Sequence, residues 1–325
     1  MKTNFNFLRL SLVCLITLLF FNCDDDSNDD YNNMPDPLTI VETAQATESL
    51  SSLVAAVVEA GLVDTLNSEG PFTVLAPTNA AFQEFLNANG WGSVADIPDD
   101  ALVQVLLNHV ISGEVKSTDL VTLGSGYTNS LAVGPNNTNL SLYFNTTDGV
   151  KFNGISSVSS ADIEASNGVV HVIDKVIGLP TIVDFAVSNP NFSTLVTALT
   201  REDLTFDYVG ALSNTSSDPF TVFAPTNDAF ANLLDFLNAT GLEDIDEPTL
   251  KATLDHHAVA NANVLSTQLT DDMLIETLGG TITANVTGGA RLIDMNDRTS
   301  DIIAVDVQAV NGVIHVINEV VLPKL

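Results

Sequence analysis

One twelve-residue stretch occurs twice in this chain, and the rest has to fold around both copies. Residues 71–82 read PFTVLAPTNAAF and residues 219–230 read PFTVFAPTNDAF, identical at ten of twelve positions. Phe72, Val74 and Ala76 alternate with Thr73 and Leu75, as in a mostly buried strand. Pro77 has no N–H to give a sheet ladder, so the strand stops there. Thr78 and Asn79 then offer side-chain oxygens to the free N–H groups of a helix starting near Ala80. Each copy therefore encodes a strand, a sharp proline turn and a capped helix.

The repetition extends well beyond this unit. Thr39-Ile40-Val41-Glu42 returns as Thr181-Ile182-Val183-Asp184, 142 residues later, and His109 returns as His257 at an offset of 148. Asn167-Gly168-Val169-Val170-His171-Val172-Ile173 returns as Asn311-Gly312-Val313-Ile314-His315-Val316-Ile317 at 144. A period near 145 is a domain duplication, since solenoid repeats run to about 20–50 residues. The expected domains are 38–180 and 181–325. The offsets place about six extra residues of the second copy in a Thr205–Asp218 loop and remove about four from its hairpin region.

Within each copy the periodicity changes from helical to extended. Leu50, Leu53, Val54, Val57 and Val58 fall at helical spacing and Gly61 closes that turn. Asp99-Asp100 open another helix carrying Leu102, Val105, Leu106 and His109 on one face. After Gly113 come short runs at Tyr127–Val133, Leu140–Phe144 and Val150–Phe152. The Val- and Ile-rich run Gly168–Ile177 reads as a central strand covered on both faces. Helices first and strands later predict an α+β fold rather than a doubly wound sheet.

The first 23 residues read as a targeting leader. Lys2 and Arg9 precede an apolar run from Leu10 to Phe21, too short to span a membrane comfortably. Cys23 directly after that run resembles the lipidated cysteine of a bacterial lipoprotein, an ordinary secretory leader being the other reading. The only other cysteine is Cys14, inside the run, so the mature chain has no disulfide and stands on its core. Residues 24–37 hold six acids, two prolines and no base. That composition predicts a disordered tether, and acids directly after the cysteine resemble a surface-export signal.

Charge excludes one class of partner. With 41 acidic residues against 10 basic ones the formal charge is −31, whereas nucleic-acid binding needs clustered Lys and Arg. Adsorption to anionic lipid is disfavoured for the same reason.

The paired motifs resemble the fasciclin (FAS1) family. The first family motif is matched by Thr73–Phe82 and Thr221–Phe230, the second by Asn167–Asp174 and Asn311–Asn318. Between them the family carries a Tyr-His pair, where this chain reads Asn108-His109 and His256-His257. The resemblance implies two FAS1-like domains, each a wedge-shaped β-sandwich with helices packed against it, and extracellular adhesion or matrix binding. In animal relatives an Asp-Ile pair before the second motif is linked to integrin recognition, and the matching positions are Asp162-Ile163 and Asp306-Val307. Structurally, Ile163 and Val307 are expected to anchor a strand, with the acids at its exposed end.

Nothing else in the pattern points to catalysis. No G-x-S-x-G elbow or reactive thiol is present. His171 and His315 lie in apolar strands, where a core histidine bonded to backbone is expected. His109 and His257 read as packing positions near a helix end. Asp294-Met295-Asn296-Asp297-Arg298 puts Arg298 at a calcium-ligand position, so a hairpin turn is expected there. The chain is thus expected to be a surface adhesion protein, lipid-anchored through Cys23 in the outer membrane, binding an extracellular protein or glycan without enzymatic activity or cofactor. The alternative is an envelope solute-binding or carbohydrate-active lipoprotein with a ligand cleft in one domain.

Overall fold

The computed structural model describes residues 37–324. The expected leader, Cys23 and nearly all of the tether lie outside the described residues.

The duplicated twelve-mer folds as its residues dictate. Strand β1 runs Phe72–Pro77. Thr78 caps the helix Asn79–Ala88 by accepting from Ala81 N–H, an interaction worth about 1 kcal/mol. Asn79 does not cap its own helix. Its Oδ1 accepts from Ser52 N–H at the start of the preceding helix, Ser51–Glu59, and its Nδ2 donates to Glu48 O. The second copy repeats this with Thr226 on Ala229, and with Asn227 on Thr194 and Pro190. Phe82 and Phe230, 2% and 1% exposed, plug the core beneath, each contributing about 2–3 kcal/mol by burial.

In the first repeat β1 is joined by β2 (Val110–Ser112), β3 (Ser125–Val133), β4 (Asn139–Asn145), β5 (Lys151–Phe152), β6 (Ser156–Ala165) and β7 (Gly168–Ile173). The second repeat has β8 (Phe220–Pro225), β9 (Ala258–Val259), β10 (Met273–Thr277), β11 (Gly280–Asn285), β12 (Arg291–Ile293), β13 (Thr299–Ala309) and β14 (Gly312–Ile317). β7 lies centrally, parallel to β1 and antiparallel to β6. Its Val170 and Val172 face the helices, while Ile173 faces a second core with Leu142, Phe144 and Phe152. Two faces on two cores explain the unbroken apolar run.

The two layers of each wedge are joined by one long strand. β6 pairs with β5 at Ser156–Ser157 and with β7 from Val158 onward, and β13 does the same with β12 and β14. The first repeat closes into a seven-stranded barrel because the nine-residue β3 reaches β2 at Ser130↔Ile111. β10 has five residues and the second sheet stays open.

Two segments differ from the sequence expectation. The Thr205–Asp218 segment is not only loop: it contains the helix Tyr208–Ser213, started by Asp207, whose carboxylate accepts from Gly210 N–H. After Gly113 the chain forms the helix Ser117–Leu123 before any hairpin. At seven residues it is too short for its apolar Leu120, Val121 and Leu123 to form a helical stripe, and only Leu120 is buried in it.

Candidate binding surfaces

The acids singled out from the sequence are not at the exposed end of a strand. Asp162 and Asp306 sit within β6 and β13, at irregularities in the pairing with β7 and β14, with φ of 58° and 56°. The left-handed backbone suits Asp better than most residues, and a bulge here re-aims the side chain. The Asp162 carboxylate accepts from Ser117 N–H at 2.8 Å and from Ser117 Oγ at 2.5 Å. Asp306 holds Ser266 in the same way, at 2.7 and 2.5 Å. Burial works upward on the Asp162 carboxyl, but the Ser117 bonds outweigh it and hold the group below the usual carboxylate range. The aliphatic neighbours point inward: Val307 is buried and Ile163 packs against the first core.

Behind each acid stands a histidine. Asp162 N–H donates to His171 Nδ1 at 3.1 Å, so His171 Nε2 carries the proton and donates to Val115 O at 2.9 Å. His315 joins Asp306 to Val264 likewise. His109 and His257 use the opposite tautomer. Nδ1–H donates to Val105 O and Thr253 O, both at 2.7 Å, and Nε2 accepts from Ile177 and Val321 N–H. Burial pulls both of these rings down to about 4. All four brace one backbone segment against another.

The residues replacing the family tyrosine behave differently from each other. Asn108 is buried and satisfied, donating to Gly178 O and accepting from Ser130 Oγ. His256 is fully buried, and neither ring nitrogen has a hydrogen-bond partner among the described residues. Burial lowers its pKa, against the opposing pull of the Gly279 backbone and of the Asp294 and Asp255 carboxylates. Among the described residues no group of three or more His, Cys, Asp or Glu is gathered as a metal site requires.

The seam between the repeats lies outside the motifs that the two copies share. Tyr143 of β4, 2% exposed, belongs to the core of the second repeat rather than the first. Tyr127 of β3 packs beside it at 5.3 Å between ring centroids and meets Phe185 edge-on at 5.8 Å. Asn189 donates to the Tyr127 hydroxyl at 2.9 Å, and burial pushes that phenol up to about 12. Gln308 N–H donates to Ser141 Oγ at 3.0 Å, and Asn136 donates to Asn263 O. Gly134 lies so close to Ala309 O that a Cβ would come within 2.9 Å. The available signal was contrast between copies: position 43 carries Thr where 185 carries Phe.

A groove of about 320 Å³ opens beside this seam. Asn153, Gly154 and Ile155 of the first repeat, Leu179 and Pro180 of the connection, and Asp184 and Val187 of the second repeat line it. By contrast, the voids under the helices of the two repeats measure only about 30 Å³ each, roughly the volume of one water.

The sequence profile of the fasciclin domain matches residues 48–180 and again 190–323. The chain belongs to the fasciclin domain family. It is 44% identical over 141 residues to Protein sll1483 of Synechocystis sp., a match covering 43% of this chain and 73% of that protein. With human periostin it shares 27% identity over 252 residues, 74% of this chain but only 26% of periostin. Among solved structures it is similar to a FAS1 domain pair from the insect cell adhesion molecule fasciclin I, with a TM-score of 0.52 and 22% identity. That match covers 85% of this chain and 97% of the solved one, and shows the shared two-domain fold.

Proposed function

We propose that this protein is a surface-anchored adhesion protein that presents two fasciclin domains to an extracellular protein or glycan and catalyses no reaction. The observation that carries this is the seam itself. Tyr127, Tyr143, Phe185 and Asn189 lock the two repeats together, so surfaces from both are offered at a fixed spacing. A fixed spacing favours simultaneous engagement of two sites on one partner. The solved insect relative is described as a cell adhesion molecule, and the net charge of −31 favours a basic partner surface. No helix among the described residues is long and apolar enough to cross a membrane, and the attachment we propose is a lipid on Cys23 in the outer membrane.

In this reading Asp162-Ile163 and Asp306-Val307 contribute by fixing the starts of the helical turns at Ser117 and Ser266. A solute-binding role is the second reading, and the groove lined by Ile155, Asp184 and Val187 favours it.

A glycan and matrix-protein array probed with residues 38–325, with and without calcium, tests the proposal. Saturable binding to a matrix protein or glycan is expected, and an array without a single reproducible hit would sink the adhesive role. Replacing Cys23→Ser should move the protein out of the membrane fraction; continued membrane attachment would rule out the lipid anchor.

A further inference from the structure

The outer face of the β10–β11 hairpin is the counterpart of the surface on which the first repeat seats the second. Shared hydrogen bonds fix the equivalence. Ser156 and Ser300 donate their hydroxyls to Lys175 O and Glu319 O. Following the strand pairs outward from these serines matches Phe152 with Leu292 and Phe144 with Ala284. Tyr143 then corresponds to Thr283, and Tyr127 to Leu274. In the first repeat this row is covered by Phe185 and Asn189. In the second repeat the same row is open, and Leu274 is 66% exposed.

We propose that the Leu274–Thr283 row is a docking site for a fasciclin-type domain of another chain, one with an aromatic residue where Phe185 stands here. The occupant follows from the fold, because the one covered example of this face is covered by the first helix of such a domain. A second copy of this chain is poorly suited to the role. The counterparts of Phe185 and Asn189 on its first repeat are Thr43 and Thr47, aligned by the shared capping residues Thr39 and Thr181. Neither threonine offers the aromatic face that Phe185 brings to the covered row, and a chain with a formal charge of −31 repels a second copy of itself. The incoming domain therefore carries an aromatic residue at the first position. This deepens the adhesive role proposed above by naming a partner class.

The test uses the full chain on both sides of the assay. The immobilised probe carries Thr43→Phe and Thr47→Asn, which place the residues of the docking helix and its end at the equivalent positions, and the wild-type chain is the analyte. Thermal unfolding confirms that the probe is folded, and a probe with Thr43→Phe alone serves if the double variant is not. The expected result is binding at least about tenfold tighter than that of the wild-type chain to itself, lost on Leu274→Glu in the analyte. No gain over wild type, or a gain that survives Leu274→Glu, would overturn the docking site. Equal self-association of the wild-type chain would overturn the choice of occupant. These outcomes are independent of the matrix array, which reads the adhesive role alone.

Discussion

The Asp162 carboxylate accepts both the N–H and the hydroxyl of Ser117, at 2.8 and 2.5 Å. It thereby clips the start of the helix Ser117–Leu123 to the bulge in β6. Ser117→Ala removes the hydroxyl and leaves the N–H bond, and is expected to cost about 1–2 kcal/mol. Urea denaturation measures this, and an unchanged midpoint would show that the clip is not structural. Its counterpart Ser266→Ala should behave alike, since Asp306 makes the same pair of bonds.

Acid should destabilise the fold through its histidines. His109 and His257 are held near pKa 4 by burial, against about 6.5 in the unfolded chain. The unfolded state therefore takes up protons first as pH falls. Stability is full above about pH 6.5 and is lost between 6.5 and 4, by about 3 kcal/mol per histidine. Urea midpoints at pH 7.5 and 5 should differ in that direction; a flat profile across this window refutes the assignment.

His256 makes the opposite prediction. With both ring nitrogens unpaired in a buried site, His256→Leu removes an unsatisfied polar group at similar volume. A gain of about 1 kcal/mol is expected at neutral pH. A loss of stability in thermal unfolding would reveal that the ring nitrogens do have partners.

The seam between the repeats predicts coupled unfolding. Tyr143→Ala should cost about 3–5 kcal/mol, as truncation of a buried aromatic does, and should split one calorimetric transition into two. Tyr127→Phe, which loses only the bond from Asn189, should cost about 1 kcal/mol and keep a single transition. Two transitions already present in the wild-type chain would contradict the coupling.

Much of this architecture was legible from residues whose jobs are local. Pro77, Thr78 and Phe82 each declare a strand stop, a cap and a core plug, and each is found in that role. The apolar surroundings of His171 point to a core histidine bonded to backbone, and the structure supplies its partners; His109, which reads as a packing position near a helix end, is backbone-bonded as well. What stayed hidden depends on contacts distant in sequence. Asn79 looked like a cap for its own helix because the residue it serves, Ser52, lies 27 positions away. Asp162 looked exposed because a bulge leaves no trace in hydrophobic alternation. Tyr143 sits in an ordinary strand pattern, and nothing local says that its ring fills the neighbouring repeat.

The placement of Tyr143 also has a mechanical meaning. A pull between the two repeats cannot simply straighten the short connection between β7 and the next helix. It has to draw an aromatic ring out of a foreign core while shearing the Gln308–Ser141 and Asn189–Tyr127 bonds. A chain so joined resists stretching as one stiff strut, and the extension at which it yields is set at the seam.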